Sequence, residues 1–255
     1  MRKIIAMLLA AMMCFVFVGC QSEEKEPTVS RTFIAGYEAE GKNGKAESCR
    51  VLMNLMSDGK VEFYVGSIAN GEHSKASYSG TYTLGENEEY DETISFEYTY
   101  GDGKTAKVED AVIIDNIFEA SFFILGEMTS NEISFYESKP AAMDGDVYVG
   151  YKTKTGGMGA MVYAYSLCIR NDNTFDVSIM QMASVMHVWG GTSGTYSKNG
   201  ESIDFTYNVL TDEGEIVAED IVSAGSEYTS EKLYTAFNIQ QASTRATDAY
   251  FIRVK

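Results

Sequence analysis

The sequence predicts an all-β protein that consists of two tandem antiparallel up-and-down β-barrel modules, with about eight strands each. Three observations support this prediction. Apolar and polar residues alternate through most of the chain, and Gly, Asn and Asp interrupt them about every ten residues, which is typical of short strands joined by turns. Helical periodicity is absent from the body of the chain. The tetrapeptide "SGTY" occurs at Ser79–Tyr82 and again, 114 residues later, at Ser193–Tyr196, so the chain contains an internal duplication.

The first 19 residues predict a signal peptide. Arg2 and Lys3 precede an apolar run of 15 residues, from Ile4 to Val18, which is too short and wrongly flanked for a membrane-spanning helix. The run ends at Gly19-Cys20, which resembles the lipobox of bacterial lipoproteins, where a small residue precedes a cysteine that becomes lipidated. The resemblance implies a diacylated Cys20 as the first residue of the mature chain.

Residues 20–30 predict an acidic tether between the lipid and the first module, because they lack apolar periodicity and carry three glutamates. The cluster of Glu23, Glu24 and Glu26 resembles the surface-export signal of Bacteroidetes lipoproteins. Together these features predict an extracytoplasmic protein of the bacterial cell envelope, held at the outer membrane or cell surface by the lipid on Cys20.

The remaining chain divides into a first module at residues 31–139, a linker at 140–145 and a second module at 146–255. Each repeat is about a hundred residues long, which is the size of a whole domain, so each module is expected to fold alone. The only two prolines, Pro27 and Pro140, lie at these edges, where a residue without a backbone N–H disturbs no strand ladder.

Alternation of apolar and polar residues places the strands of the first module, and the second module repeats them from Val147 to Val254. Asp58-Gly59 and Asp172-Asn173 predict tight hairpins, because these residues tolerate a positive φ. The predicted strands of the first module are Phe33–Glu40, Glu47–Met56, Val61–Ile68, Ala76–Thr83, Thr93–Tyr100, Lys107–Ile113, Ala120–Ile124 and Ile133–Tyr136.

This pattern resembles the small lipocalin-like domains of bacterial lipoproteins, in which a "D-G-x-F" hairpin precedes the strand pair "G-x-Y-x-x-x-G-x-x-I-x-F". The second module carries the strand pair at Gly194, Tyr196, Gly200, Ile203 and Phe205, and the first module carries it more loosely. The resemblance implies a lipocalin-like barrel in both modules.

Charge and cysteine content limit the partners. Removal of residues 1–19 takes away Arg2 and Lys3, which leaves 18 basic and 37 acidic side chains and a formal charge of −19. Such a charge excludes nucleic acid as a natural partner and leaves the acyl chains as the means of membrane attachment. Cys49 and Cys168 lie at non-equivalent positions of the repeats, so we expect two buried free thiols, while an inter-module disulfide stays open as the alternative.

The chain has no G-x-S-x-G, H-E-x-x-H, paired C-x-x-C or phosphate-loop motif, so we predict neither an enzyme nor a bound cofactor. The pair Glu109-Asp110 recurs as Glu219-Asp220 in the second repeat. Adjacent strand residues point to opposite faces, so each pair predicts solvated charges and not a carboxylate dyad.

The two histidines of the chain, His73 and His187, also lie 114 residues apart. Inheritance from the duplicated ancestor explains this, and the alternative is a ligand-contacting histidine at the rim of each barrel. Met180, Met182 and Met186 precede His187, and thioethers with an imidazole suit Cu(I) or haem iron. Because methionine commonly fills cores, we favour core packing and predict no metal site.

The sequence thus predicts a non-catalytic lipoprotein that binds a small or hydrophobic ligand in a barrel or between the modules. The alternative is a structural or adaptor subunit that docks a partner protein or glycan at the cell envelope, and haem or copper binding is a more distant alternative. An enclosed apolar cavity would favour ligand binding, whereas filled barrels with an exposed apolar patch would favour the adaptor.

Overall fold

The computed structural model describes residues 26–40, 46–69, 72–86, 92–101, 103–124, 127–128, 132–138, 143–156, 159–183, 186–211, 215–239 and 247–255. Within these ranges the chain forms β-strands and no helix, which confirms the predicted all-β fold class. The predicted signal peptide and Cys20, the predicted lipidation site, lie outside the described residues.

The first sheet has eight strands in the order β6-β5-β4-β3-β2-β1-β10-β7. A separate two-stranded ribbon is formed by β8 and β9. The strands are β1 (Val29–Glu40), β2 (Ala46–Met56), β3 (Lys60–Ala69), β4 (Glu72–Gly85), β5 (Thr93–Tyr100), β6 (Lys104–Val112), β7 (Ile117–Ala120), β8 (Phe123–Ile124), β9 (Glu127–Met128) and β10 (Ile133–Glu137).

The second sheet repeats this arrangement with eight strands in the order β16-β15-β14-β13-β12-β11-β18-β17. Its strands are β11 (Asp146–Gly156), β12 (Gly159–Ile169), β13 (Thr174–Ala183), β14 (Met186–Asn199), β15 (Ser202–Leu210), β16 (Ile216–Gly225), β17 (Lys232–Phe237) and β18 (Thr247–Arg253). All pairs in both sheets are antiparallel.

Both sheets have up-and-down connectivity, because consecutive strands of each sheet pair, with only the β8–β9 ribbon inserted between β7 and β10, and the first strand of each module pairs with the last. The seam between the two terminal strands of each sheet falls between β6 and β7 and between β16 and β17. In the second module an isolated bridge between Ser226 and Tyr234 crosses this seam. Two barrel-like modules, as the duplication predicts, are therefore present.

Most predicted strands match the observed ones, and β5 has the predicted bounds. The predicted strand Ala120–Ile124 is divided between the end of β7 and the short β8. Gly59 and Asn173 have φ values of 82° and 66°, so both hairpins use the positive φ that their sequences predict.

The tyrosine of each "SGTY" tetrapeptide forms hydrogen bonds that stabilise the hairpin between the second and third strands of its module. Tyr82 donates its backbone N–H to Gly59 O at 2.9 Å and its hydroxyl to Met56 O at 3.0 Å. Tyr196 makes the equivalent bonds to Asn173 O at 2.9 Å and to Arg170 O at 2.5 Å. A Cβ on the preceding glycines would lie 1.8 Å from Glu97 O and 2.0 Å from Thr206 O, so only glycine fits at these positions.

The recurring Glu-Asp pairs are β-bulges in the edge strands β6 and β16. Glu109 and Asp110 both lie between the register pairs Ile94–Ala111 and Phe96–Val108, so two residues oppose one. Asp110 and Asp220 adopt φ values of 49° and 50°. All four acidic side chains are exposed, as predicted, although strict alternation does not hold within a bulge. Bulges and charges on edge strands discourage pairing with other chains.

Three apolar cores hold the fold together. One fills the first barrel and includes Phe33, Val51 and Phe63, and a second fills the second barrel and includes Tyr165 and Phe205. The third lies between the modules and joins side chains from both: Ile34, Leu52, Met143, Val147, Val149, Tyr151, Ala164, Cys168 and Met180. Strand β2 is buried on both faces, because its alternate residues enter the first barrel and the third core.

Candidate functional site

Packed aromatic rings fill the interior of both barrels. In the first barrel, Phe118 and Phe135 stack with their centroids 4.8 Å apart, and Tyr98 stacks on Phe122 at 5.0 Å. In the second, Phe205 lies 4.9 Å from Phe175 and 5.1 Å from Phe237. Rings at these separations are in direct contact, so these side chains occupy the space that a barrel ligand would need.

The outer faces of the two sheets form the contact between the modules. In this contact β2 packs against β12, and β1 packs against β13. Gly66 on β3 permits the close approach, because a Cβ there would lie 2.1 Å from Val149 Cγ2. Tyr151 donates its hydroxyl to Gly66 O across the contact. The surface between the modules is therefore a packed core and not an open cleft at these residues.

Arg50 is the one charged side chain of the described residues that is completely buried in this contact. Its Nε donates to Ser166 Oγ at 2.8 Å and its Nη2 donates to Ser178 Oγ at 3.2 Å, so a first-module cation is held by second-module hydroxyls. Nη1 has no hydrogen-bond partner within the described part of the chain. Burial lowers the pKa of Arg50 to about 10, which leaves the guanidinium charged at neutral pH.

The linker takes part in the same contact. Thr32 donates its hydroxyl to Asn54 Oδ1 at 2.6 Å, and Asn54 Nδ2 donates to Met143 O at 3.1 Å. The backbone N–H of Met143 donates to Thr32 Oγ1 at 2.8 Å. All three residues are buried, so this hydrogen-bonded ring ties the end of the linker to the first module.

A polar cleft of about 430 Å³ borders the contact at the C-terminal end of the chain. Both of its arginines have carboxylate partners, since Arg170 binds Asp144 at 2.5 Å and Arg253 binds Asp146 at 2.6 Å, while Lys255 lies over the Tyr64 ring. Cys168 lies beneath this cleft, and burial raises the pKa of its thiol to about 11. The thiol is therefore protonated at neutral pH and a poor nucleophile.

His73, the first-module histidine of interest, lies on β4 and is half-buried. It stands opposite Ile68, and directly opposed residues share a face of the sheet. Because Ile68 packs against the core between the modules, His73 lies on the outer face and not inside the barrel. Its Nδ1 has no hydrogen-bond partner among the described residues, and burial lowers its pKa.

Only some side chains of the second-module histidine and methionine group lie among the described residues. Met180 is fully buried in the core between the modules, which is a packing role. The backbone register sets Met182 opposite His187 and Ala183 opposite Met186, but the side chains of Met182, Met186 and His187 lie outside the described ones. A soft-metal or haem site there stays a hypothesis. Elsewhere in the described residues no group of three or more His, Cys, Asp or Glu is placed to hold a metal ion.

Cys49 and Cys168 are buried and form no disulfide, as the sequence predicts. Cys49 packs inside the first barrel, whereas Cys168 packs between the modules. Among the described residues, no helix has the length and apolarity to cross a membrane.

The edge strand β16 carries an exposed apolar group. Ile216, Val217 and Val222 are 52%, 49% and 61% exposed. The bulge residues Glu219 and Asp220 lie between them. The apolar group is therefore flanked by carboxylates.

Sequence reasoning missed Arg50, Ser166 and Ser178. A signal was available: the run "CRVLMNLM" does not alternate, which is typical of a strand buried on both faces, and it contains one arginine. The equivalent position in the second repeat is Ala164, so the arginine is not a requirement of the barrel itself.

Comparison with known proteins shows no family. No protein-family model matches the chain, and no curated protein matches it significantly. Among solved structures, it is similar to a candidate AttH protein from Nitrosomonas europaea, with 8% identity, 89% of this chain and 92% of that chain covered, and a TM-score of 0.23. A likeness at this level supports no statement about function.

Proposed function

We propose that this chain is a non-catalytic, lipid-anchored adaptor of the bacterial cell envelope, which docks a partner protein through the outer surface of its second module. The observation that carries the proposal is the filling of both barrels by packed aromatic side chains. Filled barrels with an exposed apolar group favour an adaptor over a carrier of an enclosed hydrophobic ligand.

The chemistry of β16 indicates the kind of partner. Ile216, Val217 and Val222 offer apolar contact area, and Glu219 and Asp220 add negative charge beside them. The whole chain carries a formal charge of −17, which favours association with positively charged surfaces. The partner is therefore a protein with an apolar patch bordered by lysine or arginine.

Site-specific photo-crosslinking in the native host tests the docking surface. A photoreactive residue at Val222 is expected to give one discrete crosslinked species, and Ile216→Asp in the same chain is expected to reduce its yield at least about tenfold, since an interface anchor contributes roughly 1.4 kcal/mol or more. Val112 is the equivalent position in the first module and is the matched control, at which no such species is expected. Equal yields at both positions would contradict the proposed surface.

Membrane attachment is tested separately. The variant Cys20→Ser is expected to move the protein from the membrane fraction to the soluble fraction, because a single cysteine carries the acyl chains. Cys14→Ser changes the other cysteine of the signal segment and is expected to leave the protein in the membrane fraction. Retention of the Cys20→Ser protein in the membrane after correct processing would refute lipid anchoring.

Native mass spectrometry of the protein purified from its host distinguishes the adaptor from a ligand carrier. The adaptor is expected to have the mass of the lipidated polypeptide alone. A stoichiometric small-molecule adduct on the soluble Cys20→Ser protein would favour ligand binding instead.

A further inference from the structure

The contact between the modules has a pseudo-twofold arrangement. In the two repeats β1, β2 and β3 are equivalent to β11, β12 and β13. Strand β2 packs against its own equivalent β12, and β1 packs against β13. The reciprocal pair is also present, because Gly66 on β3 lies against Val149 on β11 and accepts a hydrogen bond from Tyr151. Exchange of the two modules would therefore restore the same set of strand contacts, as in the interface of a symmetric dimer.

A twofold interface brings one patch against a second copy of itself. This geometry therefore allows three pairings: a first module with a second, two first modules, or two second modules. Only the residues at equivalent positions of the two outer faces distinguish these pairings. The strand register defines the positions, because Leu52 opposes Tyr64 in the first module as Ser166 opposes Ser178 in the second.

Arg50 disfavours the pairing of two first modules. In the chain it is completely buried and donates to Ser166 Oγ at 2.8 Å and to Ser178 Oγ at 3.2 Å. In a pair of first modules each guanidinium would face Leu52 and Tyr64 in place of the two serines. Leu52 has no acceptor, and the ring of Tyr64 is much larger than a serine side chain. A buried guanidinium without its hydrogen-bond partners is costly, so this pairing is unfavourable.

Met180 disfavours the pairing of two second modules. Gly66 opposes Arg50 in the first module as Met180 opposes Ala164 in the second, so Met180 is the equivalent of Gly66. In a pair of second modules Met180 would take the place of Gly66 against Val149. Even a Cβ at that place would lie 2.1 Å from Val149 Cγ2, so a methionine would force the two sheets apart.

We propose that Arg50 and Met180 make this contact selective, so that the outer face of a first module binds a second module and rejects a second copy of itself. The partner that fits the first-module face carries two hydroxyls against the guanidinium and a valine against Gly66. Specificity of this kind combines a favourable contact in the correct pair with unfavourable contacts in the wrong pairs. This inference does not depend on the adaptor function or on lipid anchoring.

Substitutions in the intact chain test the role of the guanidinium. Ser166→Ala with Ser178→Ala presents Arg50 with an apolar surface, as a second copy of the first module would. The melting temperature is expected to fall by roughly 6–20 °C, since two hydrogen bonds to a buried charge are lost. When Arg50→Leu is present in the same chain, the two serine substitutions are expected to cost roughly 2–4 °C at most. Equal losses with and without Arg50 would overturn the role assigned to this residue.

Gly66→Met reproduces, within one chain, the contact of two second modules. It is expected to lower the melting temperature more than Gly66→Ala, because the longer side chain has no space beside Val149. Val149→Ala in the same chain removes the atoms that the new side chain meets and is expected to recover part of the loss. A loss that Val149→Ala does not reduce would contradict the role of Met180.

Cleavage of the folded chain tests the pairing itself. A protease site inserted after Ala141, in the predicted linker, allows modules to exchange between chains, and native mass spectrometry identifies the pairs by mass. The wild-type protein is expected to give only pairs of a first with a second module. Arg50→Leu is expected to add pairs of two first modules, and Met180→Gly is expected to add pairs of two second modules.

Arg31→Leu is the matched control and is expected to add no pairs, because Arg31 binds Glu92 and Glu137 within the first module. Pairs of identical modules from the wild-type protein, or a failure of either contact variant to add them, would overturn the proposal. If the modules unfold after cleavage, the melting temperatures of the intact variants decide between these outcomes.

Discussion

Removal of one hydroxyl in each module tests the role of the "SGTY" repeat. Tyr82→Phe removes the bond to Met56 O at 3.0 Å, and Tyr196→Phe removes the bond to Arg170 O at 2.5 Å, while both rings stay in place. A typical intramolecular hydrogen bond contributes about 0.5–1.5 kcal/mol, so each variant is expected to lose about 1 kcal/mol and to melt roughly 2–4 °C lower. Tyr196 is only 8% exposed, so Tyr196→Phe is expected to lose stability near the upper end of this free-energy range.

The two substitutions lie in different barrels and share no partner, so the double variant is expected to lose about 2 kcal/mol. Urea unfolding followed by circular dichroism measures these free energies, and calorimetry measures the melting temperatures. Tyr37→Phe is the control, because Tyr37 packs on the first core and its hydroxyl makes no hydrogen bond within the described residues. If Tyr82→Phe and Tyr196→Phe cost no more than Tyr37→Phe, the hydroxyls do not lock the hairpins.

Three further predictions concern the modules and their contact. Gly66→Ala forces a Cβ against Val149 and should lower the melting temperature by roughly 3–10 °C by calorimetry, more than the control Gly85→Ala, whose nearest neighbouring atom lies at 3.1 Å. Residues 31–139 and 145–255, expressed separately, should each fold, and the two fragments should form a 1:1 complex when mixed. Size-exclusion chromatography measures this complex. Two folded fragments that do not bind each other would contradict the buried contact. His73→Gln should make stability less sensitive to acid: burial lowers the folded-state pKa of His73, so the unfolded state binds the proton more tightly and wild-type stability falls as pH drops below about 6.5.

Much of the architecture follows from short-range patterns that are visible in the sequence. The duplication is visible as matching residues in the two repeats, so the two modules could be predicted directly. Strand alternation reflects the burial of one face, so the bounds of β5 could also be predicted. The hairpins at Asp58-Gly59 and Asp172-Asn173 could be placed because few residue types tolerate a positive φ. These signals are local, since each depends on residues within one strand or turn.

The contact between the modules was decided only by the tertiary structure. From the sequence alone, Arg50 is an ordinary cation on a strand, and Ser166 and Ser178 are ordinary polar strand residues. In the structure Arg50 binds both serines, which follow it by 116 and 128 residues in the chain. The same holds for Met180, which the alternation pattern assigns to a core without saying that this core lies between two barrels. Alternation shows that a face is buried but not against what, because the orientation of two packed sheets depends on the shapes of both surfaces at once.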